Sequence, residues 1–166
     1  IYKPEENINL ELNMSSSMVK ELAPLALYLK YLAQPGDLLI IDEPEMNLHP
    51  AAQVEMTEFL GMLVNAGLHV LITTHSPYIL DHLGNLIQAK ECDTDKSVKS
   101  LFYLEQENSF ISKEKLSVYL FENNTVKSLL TEDDEIDWET FNDVSHDISG
   151  ICSELIRRQQ RFHHDS

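Results

Sequence analysis

The chain has 166 residues, a 43% hydrophobic content and a formal net charge of −16. Length and apolar content suit about one domain with a real core. The shortage of Lys and Arg excludes a self-sufficient nucleic-acid binder, which needs cations against phosphates, but leaves room for DNA contacts made by a partner segment.

Cys92 and Cys152 stand far apart without metal spacing and read as reduced thiols of a cytoplasmic protein. No apolar run approaches the roughly 20 residues of a membrane span, so no membrane partner is expected. The opening Ile1-Tyr2-Lys3-Pro4 lacks a signal-peptide pattern, and a first residue of Ile rather than Met reads as a fragment.

In chain order, Ile8 to Asn13 alternates apolar and polar residues, as a half-buried strand does. Ser15-Ser16-Ser17 precedes a helical pattern that sets Val19, Leu22, Leu25, Ala26 and Leu29 near one face. Pro24 is an awkward member of it, since proline is best tolerated in the first turns. After the turn Gln34-Pro35-Gly36-Asp37, the run Leu38-Leu39-Ile40-Ile41 is too short for a helix. It is predicted to be a central parallel strand buried on both faces. Pro50 opens a helix to about Ala66, with Val54, Phe59, Leu60 and Leu63 as core candidates and Gly67 as the stop. Leu68 to Thr73 is a second strand, and Ser76-Pro77 starts another helix with Ser76 as the N-cap.

Strand, helix, strand and helix in this order predict a right-handed parallel α/β layer, a sheet with flanking helices. After about Ala89 the texture changes. Val98 to Leu104, Leu116 to Phe121 and Thr125 to Leu130 read as strands, Glu132-Asp133-Asp134-Glu135 as an acidic turn, and Trp138 to Arg161 as one or two helices. The chain thus divides into residues 1–90 and a small strand-and-helix tail over 91–166.

The chemistry concentrates at two strand ends. The first apolar strand ends in Asp42-Glu43, which sets two carboxylates at the carboxyl edge of the sheet, where open α/β folds bind ligands. The first can hold Mg²⁺ through its water shell and the second can polarise water attacking a γ-phosphate. By itself a strand ending in Asp-Glu is common. The second strand ends in Thr73-Thr74-His75-Ser76-Pro77, so a histidine reaches the same edge one strand over and can donate to that phosphate from the other side.

Asp42-Glu43-Pro44-Glu45-Met46-Asn47-Leu48-His49-Pro50 resembles the Walker B and D-loop block of ABC-type ATPases, in the form found in overcoming-lysogenization-defect and related AAA-labelled bacterial ATPases. Thr74-His75-Ser76-Pro77 is similar to the switch-histidine motif of that branch. Ser15, Ser16 and Ser17 sit where its signature motif belongs, although the stretch departs from Leu-Ser-Gly-Gly-Gln everywhere but at the first serine; taken alone it reads as a helix cap.

The resemblance, over about residues 10–90, implies a P-loop NTPase fold of the ABC type, its C-terminal lobe, with ATP and Mg²⁺ as cofactors. It implies Asp42 as the Mg²⁺ support, Glu43 as general base and His75 as γ-phosphate sensor. Ser15–Ser17 would reach the ATP of a second subunit in a head-to-tail homodimer, and Asn47 and His49 would lie in the D-loop crossing that interface. His49 stands where classical transporters carry Asp.

A phosphate-binding loop is absent: Gly36, Gly61, Gly67, Gly84 and Gly150 are the only glycines, and none precedes a Lys-Ser/Thr pair. The expected reading is therefore half of an ATPase site, inactive alone, that relies on an upstream Walker A lobe and drives a bacterial DNA-maintenance or phage-defence assembly. DNA or an effector nuclease would be engaged through missing segments. The competing reading is a non-catalytic regulatory or oligomerisation module of the same fold. In relatives with a nuclease domain, a strand-borne Glu and an Asp-x-Asp pair are needed. Asp133, Asp134, Glu135 and Asp137 follow no such strand and read as a solvated loop.

Overall fold

The computed structural model describes residues 2–5, 8–10, 16–92, 97–131, 136 and 151. Ser15, the acidic turn at Glu132–Glu135 and the helices expected over Trp138–Arg161 lie outside the described residues.

The chain divides into two compact units, Ile1–Leu116 and Ser117–Ser166. In the first, β1 (Tyr2–Glu5) pairs antiparallel with β2 (Ile8–Leu10), which occupies the start of the alternating stretch. Helix α1 (Ser17–Tyr31) is capped by Ser16, whose hydroxyl accepts the Val19 N–H at 3.3 Å. It runs on through Pro24, in its middle rather than its first turns; the ring removes one backbone donor, which costs the helix a rung without ending it.

The motif-bearing layer follows. β3 (Leu38–Asp42) and β4 (His69–Thr73) pair in parallel, with Leu38 opposite His69 and Asp42 opposite Thr73. Between them runs α2 (Pro50–Asn65), and after them α3 (Pro77–Glu91). Both helices begin with proline at the first position, where a missing N–H costs nothing. Gly67, at φ +98°, ends α2 in the left-handed conformation that glycine adopts without penalty. The result is a mixed α/β unit with a small parallel sheet.

Leu48, Met56, Leu60 and Leu63 form the buried core, against which pack Leu22 and Leu29 of α1, Leu39 and Ile41 of β3, Phe59 of α2, and Val70 and Ile72 of β4. Only one face of the sheet is covered. Leu38, Ile40 and Leu71 point the other way and are 60%, 65% and 54% exposed. This corrects the expectation of a strand buried on both faces: among the described residues no element packs on the second face.

The first unit extends past residue 90. The expected strand at Val98–Leu104 is instead a short 3-10 helix, Val98–Leu101, followed by bends. Two further short 3-10 helices, Glu107–Ser109 and Lys113–Lys115, follow it. This irregular segment is fixed by α2: Asn65 donates to the carbonyls of Asn108 (3.0 Å) and Phe110 (2.7 Å). Phe102 and Phe110 are buried, with ring centroids 4.8 Å apart. In the second unit, β5 (Tyr119–Glu122) and β6 (Thr125–Ser128) form a hairpin, shorter than the two strands expected there, turned through Asn123 and Asn124 at positive φ.

Candidate functional site

The parallel register brings the ends of β3 and β4 level, so the loops that leave them meet. Asp42 closes β3 opposite Thr73, whose hydroxyl donates to Asp42 Oδ1. The next residue, Glu43, adopts φ +45°, and its N–H is held by both the carbonyl and the hydroxyl of Thr73, each at 3.1 Å. This left-handed step swings the chain out of the strand. The Glu43 carboxylate thereby comes within 3.7 Å of His75 Nε2. The imidazole is 86% exposed and the carboxylate 36%, so any ion pair between them is screened and weak, and the arrangement is open to a third group.

Behind this edge lies a continuous polar network. Glu45, 8% exposed, accepts the Thr74 hydroxyl at 2.6 Å and the His75 N–H at 2.9 Å through the same oxygen. Its Oε2 is buried and has no hydrogen-bond partner among the described residues. Thr74 Oγ1 accepts the Ser76 N–H at 3.0 Å. Ser76 caps α3 and donates its hydroxyl to Gln53 Oε1 at 2.6 Å, and Gln53 Nε2 donates to the Leu48 carbonyl at 3.0 Å. An open depression of about 320 Å³ is lined by Glu43, Glu45, Gln53, His75, Ser76, Pro77 and Tyr78.

Two consecutive turns carry the chain from β3 to α2: the Glu43 carbonyl accepts from Met46 N–H at 3.0 Å and the Glu45 carbonyl from Leu48 N–H at 2.9 Å. Asn47, at φ +61°, lies exposed in the second turn. His49 is the N-cap of α2, its Nδ1 accepting the Ala51 N–H at 3.4 Å.

The structure thus brings Asp42, Glu43 and His75 together, sets Asn47 and His49 on the exposed connection beside them, and leaves Ser16 and Ser17 at the start of α1. Sequence reasoning assigned no role to Glu45, Thr74 and Gln53. Their signal was slight: Glu45 and Thr74 stood inside the two motif blocks, and Gln53 is a lone polar residue in the first turn of α2.

Among the described residues no cluster of three or more His, Cys, Asp or Glu side chains is arranged to enclose a metal ion. An Mg²⁺ ion that keeps most of its waters needs only one or two carboxylates besides phosphate oxygens. Asp42 fits that need: it is exposed, and its bond to Thr73 uses Oδ1. No helix among the described residues is long and apolar enough to cross a membrane.

Residues 8–81 match the family described as "AAA domain, putative AbiEii toxin, Type IV TA system". The strand-and-helix segment that carries the site is therefore similar to an AAA-type domain of the P-loop ATPase class. The "Old nuclease" of Escherichia phage P2 is 45% identical over 53 residues, a stretch that is 31% of this chain and 9% of that protein. The chain thus spans a small part of that relative's length. No solved structure matches it.

Proposed function

We propose that this chain supplies the catalytic edge of an ABC-type ATPase, the half that hydrolyses ATP held by a separate phosphate-binding lobe. The observation that carries the reading is the juxtaposition of Glu43 and His75, 3.7 Å apart at the carboxyl ends of two parallel strands, beside Asp42. Glu43 would accept a proton from the attacking water, a general-base role worth about 10²–10⁴-fold in rate. His75 would donate to the γ-phosphate oxygen on which charge develops. Asp42 would hold Mg²⁺ through water, and the ion's chemistry is to neutralise the phosphate charges.

The bare apolar face of Leu38, Ile40 and Leu71 supports an additional packing lobe, since covering such surface is favourable by about 25 cal/mol per Å². In this reading the upstream Walker A lobe occupies that face, and two copies assemble head to tail. Ser15–Ser17 at the N-terminus of α1 would complete the partner's ATP site, and the connection bearing Asn47 and His49 would cross the interface. Similarity to a phage nuclease supports a place in phage defence or DNA maintenance, with DNA or a nuclease as the assembly's target or effector.

The test is ATP hydrolysis by this chain alone and by the intact protein with and without Glu43→Gln. A silent chain, an active intact protein and a variant slowed by on the order of 10²–10⁴-fold support the reading. An intact protein that fails to hydrolyse ATP makes this lobe a regulatory or oligomerisation module instead.

A further inference from the structure

We propose that Glu45 is a positioning residue, which fixes the His75 loop in register with the Asp42–Glu43 edge; this rests on the hydrolytic reading above. The His75 ring is 86% exposed, so packing does not orient it, and its placement must come from its backbone. That backbone is held by Glu45. One carboxylate oxygen accepts from two consecutive residues of the loop, the Thr74 hydroxyl at 2.6 Å and the His75 N–H at 2.9 Å. Thr74 Oγ1 at the same time accepts the Ser76 N–H, which fixes the direction in which its own proton points. Three successive residues are thus tied in one polarised chain ending on Glu45, and such chains strengthen each member.

Glu45 is itself anchored to the core. It is 8% exposed, its carbonyl accepts from the N–H of Leu48, and Leu48 is buried in the core. It also lies two residues from Glu43, so the same short turn carries the proposed base and the clamp on the proposed sensor. Aspartate is one methylene shorter, and a neutral apolar residue would leave the His75 N–H and the Thr74 hydroxyl without their acceptor.

The experiment measures steady-state ATP hydrolysis and thermal melting of the intact protein carrying Glu45→Ala, Glu45→Gln or Thr74→Val, with Glu43→Gln as the reference. A misplacement of about 1 Å can cost on the order of 10²-fold, so Glu45→Ala is expected to lower kcat by that order while KM for ATP stays unchanged. Glu45→Gln keeps an oxygen that can accept from both donors and is expected to restore most of the rate. Thr74→Val, which removes one donor to Glu45 and the acceptor of the Ser76 N–H, is expected to fall between.

Wild-type turnover in Glu45→Ala overturns the proposal, as does a folded Glu45→Gln no faster than Glu45→Ala. If Glu45→Ala fails to fold, Thr74→Val decides: a lowered kcat at an unchanged melting temperature supports positioning, and a wild-type rate overturns it. A Glu43→Gln protein that still hydrolyses ATP sinks the hydrolytic reading and this proposal with it. A silent Glu43→Gln beside a fully active Glu45→Ala sinks the positioning role alone.

Discussion

Glu58 Oε2 accepts the backbone N–H of Leu104 at 2.7 Å, joining the middle of α2 to a residue 46 positions along the chain. Its other oxygen accepts the Tyr103 N–H at 2.9 Å and lies 3.0 Å from Nε2 of the buried His82. The carboxylate is fully buried, so each of these partners depends on it. Glu58→Ala leaves the amides of Tyr103 and Leu104 and the buried His82 imidazole without this partner. The expected loss of unfolding free energy is about 1–3 kcal/mol, the cost of leaving buried hydrogen-bonding groups without their partner, and urea denaturation measures it. A loss below about 1 kcal/mol would show that water replaces the carboxylate there.

Gly61 is the contact point between α2 and the segment that Glu58 holds. A Cβ at Gly61 would collide with the carbonyl oxygen of Ser109, which is backbone and cannot rotate away. Gly61→Ala gains about 1 kcal/mol of helix propensity but overpacks the contact at a cost of about 1–3 kcal/mol, so a net loss is expected. Gly84 in α3 has nothing within 4 Å of that position, and Gly84→Ala is expected to stabilise by about 0.5–1 kcal/mol. Melting curves of the two variants should move in opposite directions.

The uncovered sheet face makes a separate prediction. In the intact protein, a thiol placed by Ile40→Cys or Leu71→Cys is expected to resist maleimide, while the exposed Cys92 reacts readily. Equal reactivity at all three would mean that this face meets solvent, and the proposed packing lobe would lie elsewhere.

Tyr28 offers a pH signature. Its hydroxyl donates to Asp37 Oδ2 at 2.9 Å, and that bond, with burial and the Asp37 charge behind it, raises the phenol above its ordinary value. The folded protein therefore holds the Tyr28 proton more tightly than the unfolded chain. The stability this adds is fully present below the ordinary tyrosine pKa of about 10 and is lost as pH rises through the folded value. The difference in tyrosinate absorbance between the wild type and Tyr28→Phe should isolate this late step, and Asp37→Asn should move it to lower pH.

The central layer was legible because local signals there agree. The Leu38–Ile41 run, Pro50 and Pro77 at first helical positions, Ser76 as a cap and Gly67 as a stop all correspond to observed boundaries within a residue. The same agreement put Asp42, Glu43 and His75 at one edge. The bare face of β3 escaped, because an all-apolar run is alike whether one or both sides are covered; the packing partner decides. Val98–Leu104 misled for a related reason. Phe102 alone serves the contact with Phe110, Leu101 and Tyr103 are exposed, and the amides of Tyr103 and Leu104 bond to Glu58 rather than to a neighbouring strand. Glu45 and Glu58 were hidden because a lone acidic residue looks solvated until the fold places donors around it.

Glu43 carries its side chain on a left-handed backbone, at φ +45°. Glycine adopts that conformation freely, whereas other residues pay on the order of 1–3 kcal/mol at strained positions. Glu43→Gly should therefore relax the turn even as it deletes the carboxylate, and the variant that melts highest among substitutions at this position should be among the least active. Stability screening alone would select against the working site, and a thermostable form of this protein is best sought at positions such as Gly84, away from the strand ends.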